Sequence, residues 1–311
     1  MRIALQFELP TLLDGILEVA PQADVVILTP DTPLEHIGPV DVVLATPGGS
    51  EQLARLLEVS PQLQWIHILG TGVDDYPMEL LAGRLVTCSK GATAPPIAEW
   101  VMAMILAHAK RLPGSWIDKP PAQWFMADFD SLEGKTLGII GFGEIGQAIA
   151  KRALAFDMKV LATVRSFRPS CMPGVELLEN IDDLIPRADH LVLALPATAQ
   201  SAGLLDARRL SEMKAGSHLV NISRAILIDH IALLEVLDKG QIARASLDVV
   251  NPEPLPREHW LYTHPRVKLS PHTSWNAPLS HERMLHAFFA NLHRWLEGET
   301  LQGVVDTTAG Y

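Results

Sequence analysis

The sequence predicts an α/β protein made of two Rossmann-like, doubly wound parallel-sheet domains. Short apolar runs alternate with helix-like segments along most of the chain, as expected when helices cover both faces of a parallel sheet. At 311 residues the chain is long enough for two such domains. Near its middle, an apolar run at 137–140 leads into the turn GFGEIG, a helix-period segment and another apolar run at 159–164. This order predicts a strand–helix–strand unit of a dinucleotide-binding domain.

Residues 1–90 contain the first set of alternating elements. Each strand candidate is a short, largely apolar run, which predicts a strand buried on both faces of a sheet. No glycine-rich phosphate-binding turn occurs in this part of the sequence. The predicted strands are 3–7, 25–28, 42–45, 65–69 and 85–88, and the predicted helices are 11–20, 50–59 and 77–81.

The later elements begin with a long apolar segment, 97–110, which predicts a helix starting just after Pro95-Pro96. The next segment, 112–123, has three prolines and little periodicity, so it predicts a crossing between the two domains. The further predicted strands are 137–140, 159–164, 191–195, 219–222, 245–249 and 267–269. The further predicted helices run from the glycine turn to about residue 156 and over 207–213, 230–238 and 278–296.

The composition argues against several classes of protein. A formal charge of −11 disfavours a surface for nucleic acid or anionic membrane, and no apolar run reaches the roughly 18 residues that span a bilayer. The start, MRIALQ, is typical of a first strand and not of a signal peptide. Two cysteines, Cys88 and Cys171, lack the spacing of a disulfide framework or metal site. We therefore predict a cytoplasmic protein with no metal, no nucleic-acid partner and no membrane partner.

The glycine turn has a separate reason for each of its glycines. Gly141 permits the tight turn, Gly143 lets a pyrophosphate approach the backbone, and Gly146 lets the helix pack closely on the strand. Free N–H groups and the positive dipole end at the helix N-terminus favour phosphate. The predicted dinucleotide-binding residues of this turn are Gly141, Phe142, Gly143, Glu144, Ile145 and Gly146.

Three charged residues follow predicted strands: Arg224 in VNISRA, Glu253 in NPEPLP and His272 in LSPHTSW. Ligands of open α/β sheets bind beyond the carboxyl ends of the strands, which is where these residues are expected. Taken singly, each has an ordinary structural explanation, since the arginine and glutamate could be surface charges and the chain has 12 histidines.

Taken together, the motifs resemble the D-isomer-specific 2-hydroxyacid dehydrogenase family over nearly the whole chain. Glu253 follows Arg224 by 29 positions and His272 follows Glu253 by 19, which suits the Arg–Glu–His set of that family. The order of the motifs agrees as well as their content. The motifs are LGTGVDD (69–75), PIAEWVMAMILA (96–107), LEGKTLGIIGFGEIGQAIA (132–150), LALPATAQSAGLL (193–205), MKAGSHLVNISRA (213–225), SLDVVNPEPLP (246–256) and LSPHTS (269–274).

The resemblance implies hydride exchange between nicotinamide C4 and C2 of a 2-oxo acid. Reduction turns the ketone oxygen into an alkoxide, which needs a proton donor, and His272 would be that donor. A carboxylate at Glu253 would favour the protonated imidazole. Arg224 would bind the substrate carboxylate with its planar, bidentate guanidinium.

The resemblance also implies further contacts with substrate and cofactor. The backbone of the loop Gly70-Thr71-Gly72-Val73 would bind the substrate carboxylate, with Thr71, Gly72 and Val73 as substrate-binding residues. Trp275 would line the substrate pocket, although a tryptophan of the core or of a subunit contact explains it equally well. Asp248 would contact the nicotinamide carboxamide, and Leu195, Pro196 and Ile222 would line the cofactor cleft.

Two positions depart from the family pattern. Ala225-Ile226 stands where glycine is usual after Arg224, which predicts a slightly different turn. No carboxylate occurs in 163–170, where NAD-specific members hold the ribose hydroxyls. Arg165, Ser166 and Arg168 are present instead and could bind a 2′-phosphate, or the arginines could be exposed loop charges. We predict that NADP(H) is preferred and that NAD(H) is possible.

The sequence thus predicts an NADPH-dependent reductase of a small 2-oxo acid, resembling the glyoxylate/hydroxypyruvate reductase branch, that yields the D-2-hydroxy acid. A flavodoxin-like substrate domain would comprise 1–95 and 276–311, and the dinucleotide-binding domain 96–275, with the active-site cleft between them. The alternatives are an NAD-dependent dehydrogenase of a bulkier D-2-hydroxy acid and a cofactor-sensing, corepressor-like binding protein. The long helix and the segment after it resemble the dimer element of the family, so we expect a homodimer.

Overall fold

The computed structural model describes residues 1–29, 31–125, 127–165 and 170–311. The chain forms two compact units, one comprising Met1–Thr93 and Ala277–Tyr311 and the other Ala94–Asn276. Each unit contains a parallel sheet with helices, so the predicted fold class is confirmed. In the described parts of the chain, no helix is both long enough and apolar enough to cross a membrane.

Twelve strands and nine α-helices are found among the described residues. The strands are β1 (Arg2–Leu5), β2 (Asp24–Ile27), β3 (Val42–Ala45), β4 (Trp65–Ile68), β5 (Leu85–Cys88), β6 (Thr136–Ile140), β7 (Lys159–Thr163), β8 (Val175–Leu178), β9 (His190–Leu193), β10 (Ser217–Asn221), β11 (Ile242–Leu247) and β12 (Val267–Leu269). The helices are α1 (Pro10–Val19), α2 (Ser50–Val59), α3 (Met78–Leu81), α4 (Ala94–Ala109), α5 (Glu144–Leu154), α6 (Ile181–Leu184), α7 (Ala207–Glu212), α8 (His230–Asp238) and α9 (Ser280–Leu296).

The first unit has a five-stranded sheet in the order β2-β1-β3-β4-β5, with every pair parallel. This is the flavodoxin-like strand order. The last helix, α9, belongs to this unit because its aromatic side chains pack on the sheet. Trp65 of β4 stacks on Phe288 and Trp295 of α9, and Ser89 Oγ donates a hydrogen bond to the carbonyl oxygen of Met284, also on α9.

The second unit has a seven-stranded parallel sheet in the order β12-β11-β10-β9-β6-β7-β8. Its first strand, β6, pairs with β7 on one side and with β9 on the other. The chain adds β7 and β8 on one side of β6, then returns to β9 and adds the remaining strands on the other side. Such a reversal opens a crevice at the carboxyl ends of the two central strands, where ligands of doubly wound sheets bind. The glycine turn begins at this point, directly after Ile140.

Three details differ from the prediction. The segment 112–123, predicted to cross between the two domains, lies within the second unit. The long helix starts at Ala94 and includes Pro95 and Pro96, because prolines in the first turn cost no intrahelical hydrogen bond. Strand β8 was not predicted. Its sequence, VELL, contains a glutamate, and it lies at the edge of the sheet, where burial is incomplete and the apolar pattern is weak.

Three histidines pack together near the amino ends of the strands of the second sheet, at the opposite edge from the glycine turn. His218 of β10 lies 4.7 Å from His108 of α4 and 5.6 Å from His190 of β9, measured between ring centroids. His218 Nε2 also lies 2.9 Å from Ser246 Oγ of β11. Burial lowers the pKa of His108 and of His190 to about 4, and that of His218 well below its ordinary value. The folded protein therefore holds all three imidazoles in their neutral form at pH 7.

We expect the free energy of unfolding to decrease as the pH falls from about 6.5 to about 4. The unfolded chain then binds protons on these histidines that the folded chain excludes, so acid favours the unfolded state. At about 1.4 kcal/mol for each unit of pKa, His190 alone should account for roughly 2 to 3 kcal/mol between pH 7 and 4.5. Urea unfolding at both pH values should show a smaller loss for His190→Gln than for the wild type. His286→Gln, which changes an exposed histidine of α9, should lose as much as the wild type. An unchanged pH dependence in His190→Gln would contradict this explanation.

Candidate active site

The glycine turn between β6 and α5 is closely packed at two of its three glycines. Gly141 has a φ of +100°, and a Cβ there would lie 2.4 Å from the carbonyl oxygen of Ala194. A Cβ at Gly146 would lie 2.2 Å from the carbonyl oxygen of Gly141. Both contacts are with rigid backbone, so neither position can accept a side chain without movement of the turn. These two glycines are required by the fold itself.

Gly143 differs, because a Cβ at this position would have no atom within 4 Å. It is the N-cap of α5, and no side chain caps the helix there. Phe142 beside it is buried in the core, whereas Gly143 and Glu144 are exposed and Ile145 is half-buried. The turn therefore presents backbone N–H groups and open space to solvent, which is the shape that a dinucleotide pyrophosphate requires.

The ends of β9 and β10 are joined by one buried serine. Ser223 Oγ donates to the carbonyl oxygen of Leu193 and accepts from the N–H of Leu195, at 2.9 and 3.1 Å. Leu195 is half-buried and Pro196 is exposed, so both can contact a ligand. Ile222 is 7% exposed and packs in the core, which leaves little of its side chain for cofactor.

Arg224 follows β10 in an extended conformation, and its side chain is half-buried. The buried Asn221 shapes this turn, since its amide donates to the carbonyl oxygen of Arg224 and accepts from the N–H of Ser223. Arg224 Nη1 donates to the carbonyl oxygen of Ser223 at 2.8 Å. Ala225 begins a 3-10 turn, Ala225–Leu227, and its φ is not positive, so alanine replaces glycine here without backbone strain.

Glu253 and His272 lie side by side. His272 Nδ1 is 2.8 Å from Glu253 Oε2, and both side chains are 39% exposed. Glu253 Oε1 accepts a hydrogen bond from the N–H of Val250 at 3.0 Å, which orients the carboxylate. Since Nδ1 faces Glu253, Nε2 is the imidazole nitrogen that remains to face a substrate.

A buried carboxylate holds the loop that carries His272. Asp248 is 1% exposed, and its carboxylate accepts hydrogen bonds from the hydroxyl of Ser270 and from the N–H groups of Thr273 and Ser274. The carbonyl oxygen of Asp248 accepts from the N–H of His272 at 2.9 Å. The structure thus shows Asp248 as a buried anchor of the loop, and its contact with the nicotinamide carboxamide stays a prediction.

Trp275 is half-buried and packs against the apolar cluster of the second unit. Its indole Nε1 donates a hydrogen bond to the carbonyl oxygen of His272 at 3.0 Å. Both of the alternatives drawn from the sequence, a pocket wall and a packing residue, stay predictions.

The predicted carboxylate-binding loop lies in the first unit, after β4. Gly70 has a φ of +119°, and its carbonyl oxygen accepts from the N–H of Ser89 at 2.8 Å. Val73 is 3% exposed and its side chain packs in the core of this unit, so only its backbone can bind a ligand. Thr71 and Gly72 are half-buried. Their role in binding substrate stays a prediction.

The predicted 2′-phosphate site is described only in part. Arg165 is exposed and lies two residues beyond the end of β7. Ser166 and Arg168 lie outside the described residues. Across the parts of the chain that the structure describes, no cluster of three or more histidine, cysteine or acidic side chains could hold a metal ion.

Three polar residues that shape the site were not predicted from the sequence, namely Asn221, Ser223 and Ser270. Asn221 donates within the turn after β10, Ser223 joins the ends of β9 and β10, and Ser270 donates to Asp248. The signal that could have found them is their position, since polar residues at the ends of otherwise apolar strands must find partners when buried.

Comparison with known proteins adds the family context. A family model described as "D-isomer specific 2-hydroxyacid dehydrogenase, NAD binding domain" matches residues 102–274. The chain is 32% identical over 266 residues to a glyoxylate reductase of Thermofilum pendens, and the match covers 81% of this chain and 78% of that protein. It is also 32% identical over 286 residues to a D-3-phosphoglycerate dehydrogenase of Methanocaldococcus jannaschii, covering 90% of this chain but 54% of that protein.

A solved structure shares the fold over the full length. The NADPH-dependent glyoxylate/hydroxypyruvate reductase of Sinorhizobium meliloti, in complex with NADP and sulfate, aligns with a TM-score of 0.82 and 24% identity. The alignment covers 100% of this chain and 99% of that one.

The contrast between Gly143 and Gly146 predicts separable effects on cofactor binding and on stability. Gly143→Ala has an allowed backbone, with φ −82°, and open space, so only the weaker N-cap preference of alanine should lower the unfolding free energy, by about 1 kcal/mol or less. The added methyl would still obstruct the pyrophosphate, and the Kd for NADPH should rise at least roughly tenfold, by about 1.4 kcal/mol. Gly146→Ala should instead destabilise the cofactor-free protein by about 1 to 3 kcal/mol.

Urea unfolding of the cofactor-free variants and calorimetric titration with NADPH measure the two effects. Wild-type affinity in Gly143→Ala would show that the pyrophosphate does not approach this glycine.

Proposed function

Since the chain belongs to the D-isomer-specific 2-hydroxyacid dehydrogenase family, we propose that it reduces a small 2-oxo acid, such as glyoxylate or hydroxypyruvate, with NADPH to give the D-2-hydroxy acid. The contact between His272 and Glu253 carries this proposal, because it supplies an oriented proton donor on the same unit as the glycine turn. The glyoxylate reductase relative supports a small 2-oxo acid as substrate.

In the proposed reaction, His272 is the general acid. When bound, the nicotinamide supplies the hydride that reduces C2 of the substrate. The substrate oxygen gains negative charge as C2 is reduced, and His272 donates a proton to it from Nε2. Glu253 accepts the hydrogen bond from Nδ1, which keeps the ring oriented for the transfer.

Substrate binding is assigned to Arg224 and to the loop 70–73. A 2-oxo acid is an anion, and the chain carries a formal charge of −11, so local groups must attract the substrate. The guanidinium of Arg224 provides a positive charge and a planar pair of donors for the carboxylate. The loop would add neutral backbone donors.

The preference for NADPH is assigned to Arg165 and, outside the described residues, to Ser166 and Arg168. Arg165 is exposed and follows β7 by two residues, and the adenosine ribose is expected near the end of this strand in this fold, which supports the assignment. The absence of any acidic residue from 163–170 of the sequence removes the charge that would repel a 2′-phosphate.

A second candidate substrate is a bulkier or phosphorylated D-2-hydroxy acid. The D-3-phosphoglycerate dehydrogenase relative, matched over 90% of this chain, favours this alternative. It requires the same three residues, so the two candidates differ in the substrate side chain and in the cofactor, which is NAD(H) for this alternative.

A homodimer in the cytoplasm completes the proposal. The segment after α4 exposes Trp116 (74%), Ile117 (57%) and Trp124 (63%). Exposed large apolar residues concentrated in one segment are typical of a protein interface, which supports a dimer contact there.

A panel of 2-oxo acids with NADPH tests the reaction. Glyoxylate or hydroxypyruvate should be reduced with the highest kcat/KM, and His272→Ala should lower kcat by roughly 10²- to 10⁴-fold while the Kd for NADPH stays within about twofold. His286→Ala, an exposed histidine of α9, is the matched control and should retain wild-type rates. Preference for a longer or phosphorylated acid would select the second candidate. NADPH binding with no turnover of any acid would indicate a cofactor-sensing binding protein.

The cofactor preference is tested by kinetics with NADPH and NADH. In Arg165→Ala, the KM for NADPH should rise roughly 10- to 100-fold, since a charged hydrogen bond to the 2′-phosphate is lost, while the KM for NADH stays unchanged. Arg187→Ala, which removes an exposed arginine paired with Glu176, should leave both values unchanged. A wild-type enzyme that uses NADH at least as efficiently would refute the preference.

A further inference from the structure

Three of the four polar groups of His272 make hydrogen bonds within the second unit. The backbone N–H donates to the carbonyl oxygen of Asp248 at 2.9 Å, and Nδ1 lies 2.8 Å from Glu253 Oε2. The backbone carbonyl oxygen accepts from the indole of Trp275 at 3.0 Å. With these three groups engaged, Nε2 is the polar atom of His272 that could act on a substrate.

His272 adopts a left-handed backbone conformation, with a φ of +53°. Residues other than glycine rarely adopt this region, and they remain there only when the surroundings hold them in place. The direction of the imidazole therefore depends on the contacts that fix the backbone on each side of His272. Asp248 provides the contact on the N–H side, and Trp275 provides the one on the carbonyl side.

Trp275 is suited to holding the carbonyl of His272 because packing holds its ring in place. It packs against the apolar cluster that also contains Phe142 of the glycine turn and Ile222 at the end of β10. The indole N–H thus projects from a rigid support to the carbonyl of His272. A flexible donor or a bound water would restrict the loop much less.

We propose that Trp275 is a positioning residue for the reaction, whose indole N–H fixes the backbone of His272 and so aims Nε2 at the substrate. The inference builds on the proposed function, in which His272 is the general acid. It differs from a role as a pocket wall, in which the ring surface would contact the substrate and the indole N–H would be unimportant.

Trp275→Phe tests the inference, because it keeps an aromatic ring and removes the N–H. We expect kcat with NADPH and the best 2-oxo acid to fall roughly 10- to 100-fold, as for a misplaced catalytic group, with both KM values within about twofold. In hydrogen exchange of the cofactor-free variant, amides of 270–276 should exchange faster, while those of β6 and β10 keep wild-type rates. Trp100→Phe, which alters a tryptophan packed on the same cluster, is the matched control and should change neither readout.

Each alternative outcome is distinct. A raised KM for the 2-oxo acid at wild-type kcat and unchanged exchange would make Trp275 a pocket wall and overturn the inference. Faster exchange throughout the second sheet, to the same extent as in 270–276, would overturn it in favour of general packing. If the wild type reduces no 2-oxo acid but Trp275→Phe still loosens 270–276 alone, the proposed function fails and the role of Trp275 in fixing His272 is supported.

Discussion

The candidate active site depends most on the hydrogen bonds that surround the buried carboxylate of Asp248. A buried charge is costly unless hydrogen bonds replace its hydration, and here the hydroxyl of Ser270 and two backbone N–H groups do so. These donors all come from one loop. The requirement to satisfy the charge therefore dictates the path of the chain around His272, and it supports a backbone conformation that histidine seldom adopts.

The second constraint is the close packing of the glycine turn. Gly146 touches the backbone of Gly141, and Gly141 touches that of Ala194 after β9, so the turn is locked to both central strands of the sheet. The space at Gly143 stays open because Gly141 and Gly146, on either side of it, are held in place by these contacts. The same six residues, 141–146, thus provide both the space for the cofactor and the rigidity of the turn. Gly143 provides the space, and Gly141 and Gly146 provide the rigidity.

Most of the fold could be predicted from the sequence because apolar runs of four or five residues mark strands buried on both faces. The edge strand β8 and the start of α4 could not, since incomplete burial and first-turn prolines weaken those signals. The pairing of Glu253 with His272 followed from a resemblance and not from periodicity. The roles of Asn221, Ser223 and Trp275 depend on strand order and loop conformation, which bring their partners near, and no local pattern encodes these.

The proposed chemistry imposes an electrostatic requirement that the site meets locally. An anionic substrate must approach His272 although Glu253 lies 2.8 Å from that imidazole and the whole chain is acidic. Both oxygens of Glu253 are engaged, one by Nδ1 of His272 and the other by the N–H of Val250. Its carboxylate therefore orients the imidazole of the proposed acid. In the proposed reaction, the positive charge for the substrate carboxylate comes from Arg224, on the separate turn after β10. In the proposed reaction, the position of the two charges on different strand ends allows Glu253 to orient the proton donor while Arg224 attracts the anion.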